Sequence, residues 1–285
     1  MKRIGLIPNM KKEKALEITR ELYEKFFKHN LEIYLTCEAA KAIGNEKAGA
    51  KPDVIAEHAE LLIVLGGDGT LLKVARDYAK YDIPILGINV GKVGFLTEIE
   101  IGEVNGYIDD IVKDNFEIKE RVMLETSVVR NNNKLCKFIA LNDIVISKGP
   151  FSKLIELETY INDSYLEKYP GDGLIVATST GSTGYSLSAG GPVINPDLDA
   201  ILVTPICPHI LHGRSVVVSP KEKIDVKVNT NYAHVVLTID GQQGFTLQDG
   251  DEVIIRNSEH VTKLVKFNKR SFCDVLNHKL VERKE

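Results

Sequence analysis

Cysteine is scarce and scattered. The chain of 285 residues holds four, Cys37, Cys136, Cys207 and Cys273, and no two have the spacing of a zinc pair or a redox dithiol. Free thiols in a reducing cytoplasm are the expectation. A basic surplus is missing as well: the net charge is -4, which excludes a general nucleic-acid or membrane-surface binder and makes any phosphate site a local feature. No apolar run has the length of a signal peptide or a membrane span, and the N-terminal stretch is interrupted by Lys2, Arg3, Lys11 and Lys12. The chain therefore reads as soluble and cytoplasmic, with no membrane or nucleic-acid partner. It also lacks a Gly-x-Gly-x-x-Gly dinucleotide fingerprint, a Walker glycine-lysine loop and a Gly-x-Ser-x-Gly elbow, so hydride transfer and serine hydrolysis have no sequence support. Neither internal repeats nor low-complexity segments occur.

What is present is ordinary in amount. Hydrophobic residues make up 44% and charged residues 27%, and the length suits two cores, since a single core stops growing near ~250–300 residues. Arg3 to Ile7 reads as a strand, and Lys12 to His29 as an amphipathic helix with Ala15, Ile18, Leu22 and Phe26 on one face. Lys11 to Lys14 reads as its solvated start. Glu32–Leu35, Leu61–Leu65 and Ile83–Ile88 read as further strands and Asp53–Glu60 as a short helix, so residues 1–115 are expected to form an open, mostly parallel α/β domain. From Phe116 short β-rich runs follow one another without a long helix, among them Glu125–Arg130, Lys134–Ala140, Asp143–Ser147, Leu174–Thr178 and Val235–Ile239. Residues 116–266 are thus expected to form an antiparallel, sandwich-like β domain. Phe272, Val275, Leu276 and Leu280 fall on helical spacing, so residues 267–285 are expected to form a tail that packs back on the first domain.

Two stretches carry chemistry. In the first, five large aliphatics, Leu61 to Leu65, run into Gly66-Gly67-Asp68-Gly69-Thr70. The run has the length of a strand buried on both faces, and glycines at its end let backbone amides approach an anion at a helix start. Asp68 conflicts with that cradle, because a carboxylate repels phosphate unless a metal bridges the two or the acid takes a proton. The conflict points to phosphoryl transfer. A tight turn capped by Asp68 is the plainer reading.

The second stretch, Asp172 to Pro192, leads a strand into Thr178-Ser179-Thr180-Gly181-Ser182-Thr183-Gly184-Tyr185 and on to Ser188. Its amides and hydroxyls suit ribose, amide and phosphate groups equally, so chemistry alone says that something polar binds there. The alternative is a surface loop rich in serine and threonine. His209 and His212 lie three apart with prolines around them and no acidic third ligand near in sequence, which favours a structural role over metal ligation.

Gly66-Gly67-Asp68-Gly69-Thr70 resembles the glycine-aspartate motif shared by NAD kinases, diacylglycerol and sphingosine kinases and 6-phosphofructokinases. The second stretch is similar to the glycine- and threonine-rich signature of NAD kinases alone. Asn142-Asp143 resembles that family's Asn-acid pair, and Thr204-Pro205-Ile206-Cys207-Pro208-His209 with Arg214, and Asp240-Gly241-Gln242, match two further blocks. The resemblance implies transfer of the γ-phosphoryl group of ATP to the 2′-hydroxyl of the adenosine ribose of NAD, giving NADP, with Mg²⁺ as the divalent cofactor. It implies Asp68 as the catalytic base or metal-proximal acid, with Gly66, Gly67 and Thr70 approaching phosphate. Gly69, Phe95, Asn142, Asp143, Asp172, Thr183, Gly184, Tyr185 and Ser188 are implied to hold NAD. No protein residue is expected to form a dedicated metal site. A site completed across subunits, and hence a homo-oligomer, dimer or tetramer, is implied as well. Two positions depart from the family: Ser179 where proline is usual, expected to loosen the loop, and Gly184 where alanine is common. The alternatives are a lipid or sugar kinase built on the same motif, and a dinucleotide sensor without turnover.

Overall fold

The structure, a computed structural model, describes residues 2–91, 94–150, 153–230, 234–267 and 270–282, the last five of these by backbone alone. The chain divides into two compact units, Met1–Glu120 with Thr262–Glu285, and Arg121–Val261.

The first unit opens with β1 (Arg3–Pro8), α1 (Glu13–Lys28), β2 (Glu32–Thr36), α2 (Cys37–Ile43), β3 (Gly49–Ala50) and α3 (Pro52–His58). It continues with β4 (Leu61–Gly66), α4 (Asp68–Tyr78), β5 (Ile85–Asn89), β6 (Ile99–Glu100) and α5 (Ile108–Val112). Its strands are all parallel, in the order β6-β5-β4-β1-β2-β3. Every residue of β4 and β5 is buried, which is why these strands are continuous aliphatic runs rather than alternating ones. Leu22 and Phe26 of α1 pack with Leu6, Ile63 and Ile88 in one core. Each such side chain contributes about 1.5–3 kcal/mol by leaving water. The last residues of the chain return to this unit: Leu264 pairs in parallel with Ile85, Phe267 packs on Tyr107 at 4.6 Å between ring centroids, and Arg270 bonds Glu100 and Glu103. A terminal helix, α7 (Phe272–Glu282), ends the described chain. The side chain of Leu280 lies outside the described residues.

The second unit contains most of β7 (Glu117–Arg130), which starts in the first unit, then β8 (Asn133–Ala140), β9 (Asp143–Lys148), β10 (Ile155–Ile161), β11 (Ser164–Gly171) and β12 (Gly173–Thr178). After the short α6 (Tyr185–Ser188) come β13 (Ile201–Ile206), β14 (Val216–Val218), β15 (Ile224–Asn229), β16 (Val235–Ile239), β17 (Gln243–Leu247) and β18 (Glu252–Lys266). One sheet runs β14-β13-β12-β9-β16-β17, antiparallel at each pairing. The pairs β7 with β8, β10 with β11, β10 with β15 and β15 with β18 belong to a second sheet and are antiparallel too. Leu124, Val128, Leu157 and Val226 of one sheet meet Ile144, Ile146, Val176 and Leu237 of the other in a shared core, so the unit is a sandwich.

The structure differs from the sequence expectation in detail. Helix α4 starts at Asp68 itself, and α2, β11 and β17 fall where the sequence predicts no element. Strand β7 begins at Glu117 rather than Glu125. No helix among the described residues is long and apolar enough to cross a membrane.

Candidate functional site

In the first unit the carboxyl ends of β1, β4 and β5 present the polar groups. Ligands of open parallel sheets sit at such ends. Gly66 closes β4, Gly67 is extended at φ -122° and ψ -173°, and Asp68 is the first residue of α4. The first turn of a helix favours an acid, because its amides carry partial positive charge. The carboxylate is also held from outside the helix: Oδ2 accepts the Phe95 N–H at 2.8 Å and Oδ1 the Leu96 N–H at 3.2 Å. A Cβ at Gly94 would overlap Asp68 Oδ1, so only glycine lets this turn close over the acid. Phe95 itself is half-buried, and Gly69 is exposed.

Thr70 is anchored by Asn9, whose Nδ2 donates to Thr70 Oγ1 at 3.1 Å while the Asn9 N–H donates to the Leu65 carbonyl at 2.8 Å. Asn89, paired with Gly66 across β4 and β5, is 2% exposed, and its Oδ1 is buried without a partner among the described residues. Lys12 is not part of a solvated helix start. It is half-buried, and its Nζ lies 3.4 Å from the Val90 carbonyl, just beyond β5.

In the second unit the Asn142-Asp143 pair is the focus. Thr178, the last residue of β12, donates its N–H to the Asn142 carbonyl at 2.9 Å and its hydroxyl to the Leu141 carbonyl at 2.7 Å. The Gly181 N–H donates to Thr178 Oγ1 at 3.1 Å, and a Cβ at Gly181 would overlap the Asn142 carbonyl oxygen. From the other side Asp240 accepts the N–H groups of Leu141, Asn142 and Asp143. Asn142 Oδ1 is buried without a partner among the described residues. Asp143 is 6% exposed, and burial, reinforced by the charge of Asp240, pushes its carboxyl from the ordinary 3.8 to about 7.

The stretch after β12 is no surface loop. Thr180–Thr183 forms one turn of tight helix that is buried throughout, with the Thr183 hydroxyl 3.4 Å from the Thr180 carbonyl. Gly184 has φ -89°; a Cβ there would lie 3.6 Å from Asn142 Nδ2 and 3.7 Å from Asp143 Oδ2. Tyr185 is 47% exposed and Ser188 is exposed, both on α6. Asn142, Asp143, Thr183 and Gly184 are therefore gathered at one place, with Tyr185 and Ser188 adjoining. Asp172 is not with them. It precedes β12, six residues and about 20 Å of strand from Thr178, and ion-pairs with Lys148 at 2.8 Å.

Ser179 is fixed rather than loose. Its hydroxyl donates to the Leu198 carbonyl and accepts the Ala200 N–H at 3.1 Å, and the residue is 1% exposed. Sequence reading did not single out this tie, the Lys12 contact or the grip of Asp240, because each joins segments remote in the chain.

Residues 4–116 match the ATP-NAD kinase N-terminal domain and residues 141–267 the ATP-NAD kinase C-terminal domain. The chain is 55% identical over 280 residues to an NAD kinase of Natranaerobius thermophilus, with 98% of each chain covered. To an NAD kinase of Caldanaerobacter subterraneus it is 45% identical over 283 residues, covering 99% of this chain and all of that one. Its fold is similar to yeast NADH kinase complexed with NADH, at a TM-score of 0.85 and 26% identity, over 97% of this chain and 86% of that one. It is also similar to an NAD kinase from Archaeoglobus fulgidus in complex with ATP, at a TM-score of 0.76 and 25% identity, over 96% and 97% of the two chains. Matched in both halves and over nearly its whole length, the chain belongs to the ATP-NAD kinase family.

Proposed function

We propose that this kinase, which makes NADP from NAD and ATP, uses Asp68 to take the proton from the 2′-hydroxyl of the adenosine ribose as that oxygen attacks the γ-phosphorus. A ribose hydroxyl is a poor nucleophile at neutral pH, so in-line attack needs positioning and a nearby proton acceptor. The observation that carries the reading is the seating of Asp68 at the start of α4, with the N–H groups of Phe95 and Leu96 aiming its carboxylate. A carboxylate offers about four lone-pair sites, so two amide bonds leave capacity for a proton. Gly66, Gly67, Gly69 and Thr70 bring the phosphates to the amides of the same turn.

NAD is held by Asn142, Asp143, Thr183, Gly184, Tyr185 and Ser188, with Phe95 beside the base. Asn142 Oδ1, without a partner among the described residues, supports this, since a buried acceptor without a donor is costly until a ligand supplies one. The enzyme works as a homo-oligomer, dimer or tetramer, in which Asp172, a strand's length from Asn142, serves the site of a neighbouring protomer. Leu211, 91% exposed, and the free edge of β14 offer apolar surface for that association.

Among the described residues no cluster of three or more His, Cys, Asp or Glu suits a metal ion, His209 and His212 included. The donor set fits Mg²⁺ carried by the triphosphate, since this ion is characteristically held by one or two carboxylates together with substrate phosphates. Asp68 is the carboxylate placed to share it, and the ion would neutralise phosphate charge. Four unpaired cysteine thiols favour the cytoplasm as the compartment.

The rival lipid or sugar kinase is disfavoured because residues 141–267 match the ATP-NAD kinase C-terminal domain. Incubating the pure protein with Mg-ATP and NAD, followed by assay with an NADP-specific dehydrogenase, tests the reading. NADP accumulation with turnover supports it; tight NAD binding without product would make the protein a sensor. Static light scattering reads the oligomer, and a monomer at working concentration would refute the shared site.

A further inference from the structure

Asp240 stands about a hundred residues from the Asn142-Asp143 pair in sequence and has no part in the chemistry above. Yet it touches the Leu141–Asp143 backbone at four points. Its Oδ1 accepts the N–H of Asn142 at 2.8 Å and of Asp143 at 3.1 Å, its Oδ2 accepts the N–H of Leu141 at 3.1 Å, and its own N–H donates to the Asp143 carbonyl at 2.9 Å. Three successive amides converging on one side chain form the kind of concavity that elsewhere binds a free anion. Here the chain fills it with its own carboxylate.

The local sequence delivers that carboxylate. Asp240 and Gly241 have φ of 47° and 64°, and the Gln242 N–H donates to the Ile239 carbonyl at 2.9 Å, so the two form the mirror-image turn that Asp-Gly favours between antiparallel strands. From the opposite side Thr178 holds the Leu141 and Asn142 carbonyls. Donors and acceptors of the 141–143 backbone are thus fixed from two places, the end of β12 and the turn after β16.

Within this segment, and among the described residues, the Asn142 side chain is left with an unanswered group, its buried Oδ1. A side chain whose backbone is clamped on both edges presents that group in one direction. The clamp also has a cost: it buries Asp143 beside a second carboxylate, and the resulting rise of the Asp143 carboxyl is a destabilisation that a purely structural tie would avoid. A neutral acceptor would hold the turn without that cost, although an asparagine offers one oxygen and sets its NH₂ against one of the three N–H groups.

We propose that Asp240 is a positioning residue for NAD: it presets the Leu141–Asp143 turn so that Asn142 meets the nucleotide in a single orientation. The inference rests on the reading of Asn142 as an NAD ligand.

Asp240→Asn and Asp240→Gly test it in the full-length chain, with Asn142→Ala beside them. Asparagine and glycine both adopt positive φ readily, so the hairpin turn survives either change. The expected result is a KM for NAD raised roughly 5- to 50-fold, as loss of one or two charge-assisted hydrogen bonds would give, with the KM for ATP unchanged. A tie that serves folding alone would instead lower kcat by lowering the active fraction, and leave both KM values at wild type. If Asn142→Ala raises the KM for NAD while both Asp240 variants keep the wild-type value, the positioning role is overturned and the reading of Asn142 stands. If Asn142→Ala leaves it unchanged, the reading of the NAD site fails, and the inference with it. Hydrogen exchange of the wild-type protein asks the same question without a variant: the 141–143 amides should be protected before NAD is added, and protection that appears only with NAD would overturn the presetting.

Discussion

Asp68 and Phe95, 27 residues apart, are joined by a 2.8 Å hydrogen bond from the Phe95 amide to Asp68 Oδ2. With the Leu96 amide on the other oxygen, the acid at the head of α4 is aimed by a loop that is not part of the helix. The geometry of the proposed base thereby depends on the turn at residues 94–96.

Gly94→Ala should show that dependence, since its Cβ would overlap Asp68 Oδ1. Either the acid or the turn must move, at a cost of about 1–3 kcal/mol. The expected outcome is a kcat lowered roughly tenfold or more, as small misplacement of a reacting group produces, with the KM for NAD little changed. Wild-type kcat in the folded variant would mean that the seating of Asp68 is immaterial.

Ser179→Ala should destabilise by about 1–3 kcal/mol, the cost of leaving buried groups unsatisfied. The hydroxyl serves the Leu198 carbonyl and the Ala200 N–H at once. Denaturant unfolding reads the change, and an unaltered midpoint would show that the tie contributes nothing.

How much was legible before the structure differs from place to place. Strand β4 could be read because a strand covered on both faces has no polar positions to interrupt it. Strand β11 could not: Ser164–Gly171 carries Glu167, Lys168 and Pro170, is mostly half-exposed, and has no alternating apolar pattern. The charged start of β7, Glu117 to Glu120, hid it for the same reason. Asp68 stood out because a carboxylate among phosphate-binding glycines is a local contradiction. The clamp of Asp240 on Asn142 was invisible because it is made across 98 residues by a side chain that a turn alone would explain.

Gly184→Ala measures how far the family's residue can be restored. Its φ of -89° lies outside the left-handed region that alanine resists, and alanine lowers unfolded-state entropy by a contribution of about 0.4–1 kcal/mol. Against this, its Cβ would press on the Gly181 carbonyl oxygen at 3.2 Å. The two effects nearly cancel, so the melting temperature should stay within roughly 3 °C of wild type and NAD binding should be retained. A larger fall together with several-fold weaker NAD binding would show that this turn cannot yield.

The Asp143 carboxyl, raised from 3.8 to about 7, makes a prediction about pH. Between those values the folded chain binds more protons at this residue than the unfolded chain does. Its contribution to stability therefore falls as pH rises through that window and levels off above about 7. Without ligand, Asp143→Asn should match wild type near pH 4 and exceed it at pH 8 by about 1–4 kcal/mol. Parallel melting profiles of the two proteins across this range would contradict the shift.

The central claim, that Asp68 takes the ribose proton, is tested most directly by the single-turnover rate of Asp68→Asn with saturating Mg-ATP and NAD, followed as NADP formed. The account predicts a rate reduced roughly 10²- to 10⁴-fold, the range for loss of a general base, with NAD affinity in equilibrium binding close to wild type. A rate near that of the wild-type protein at saturation would contradict it.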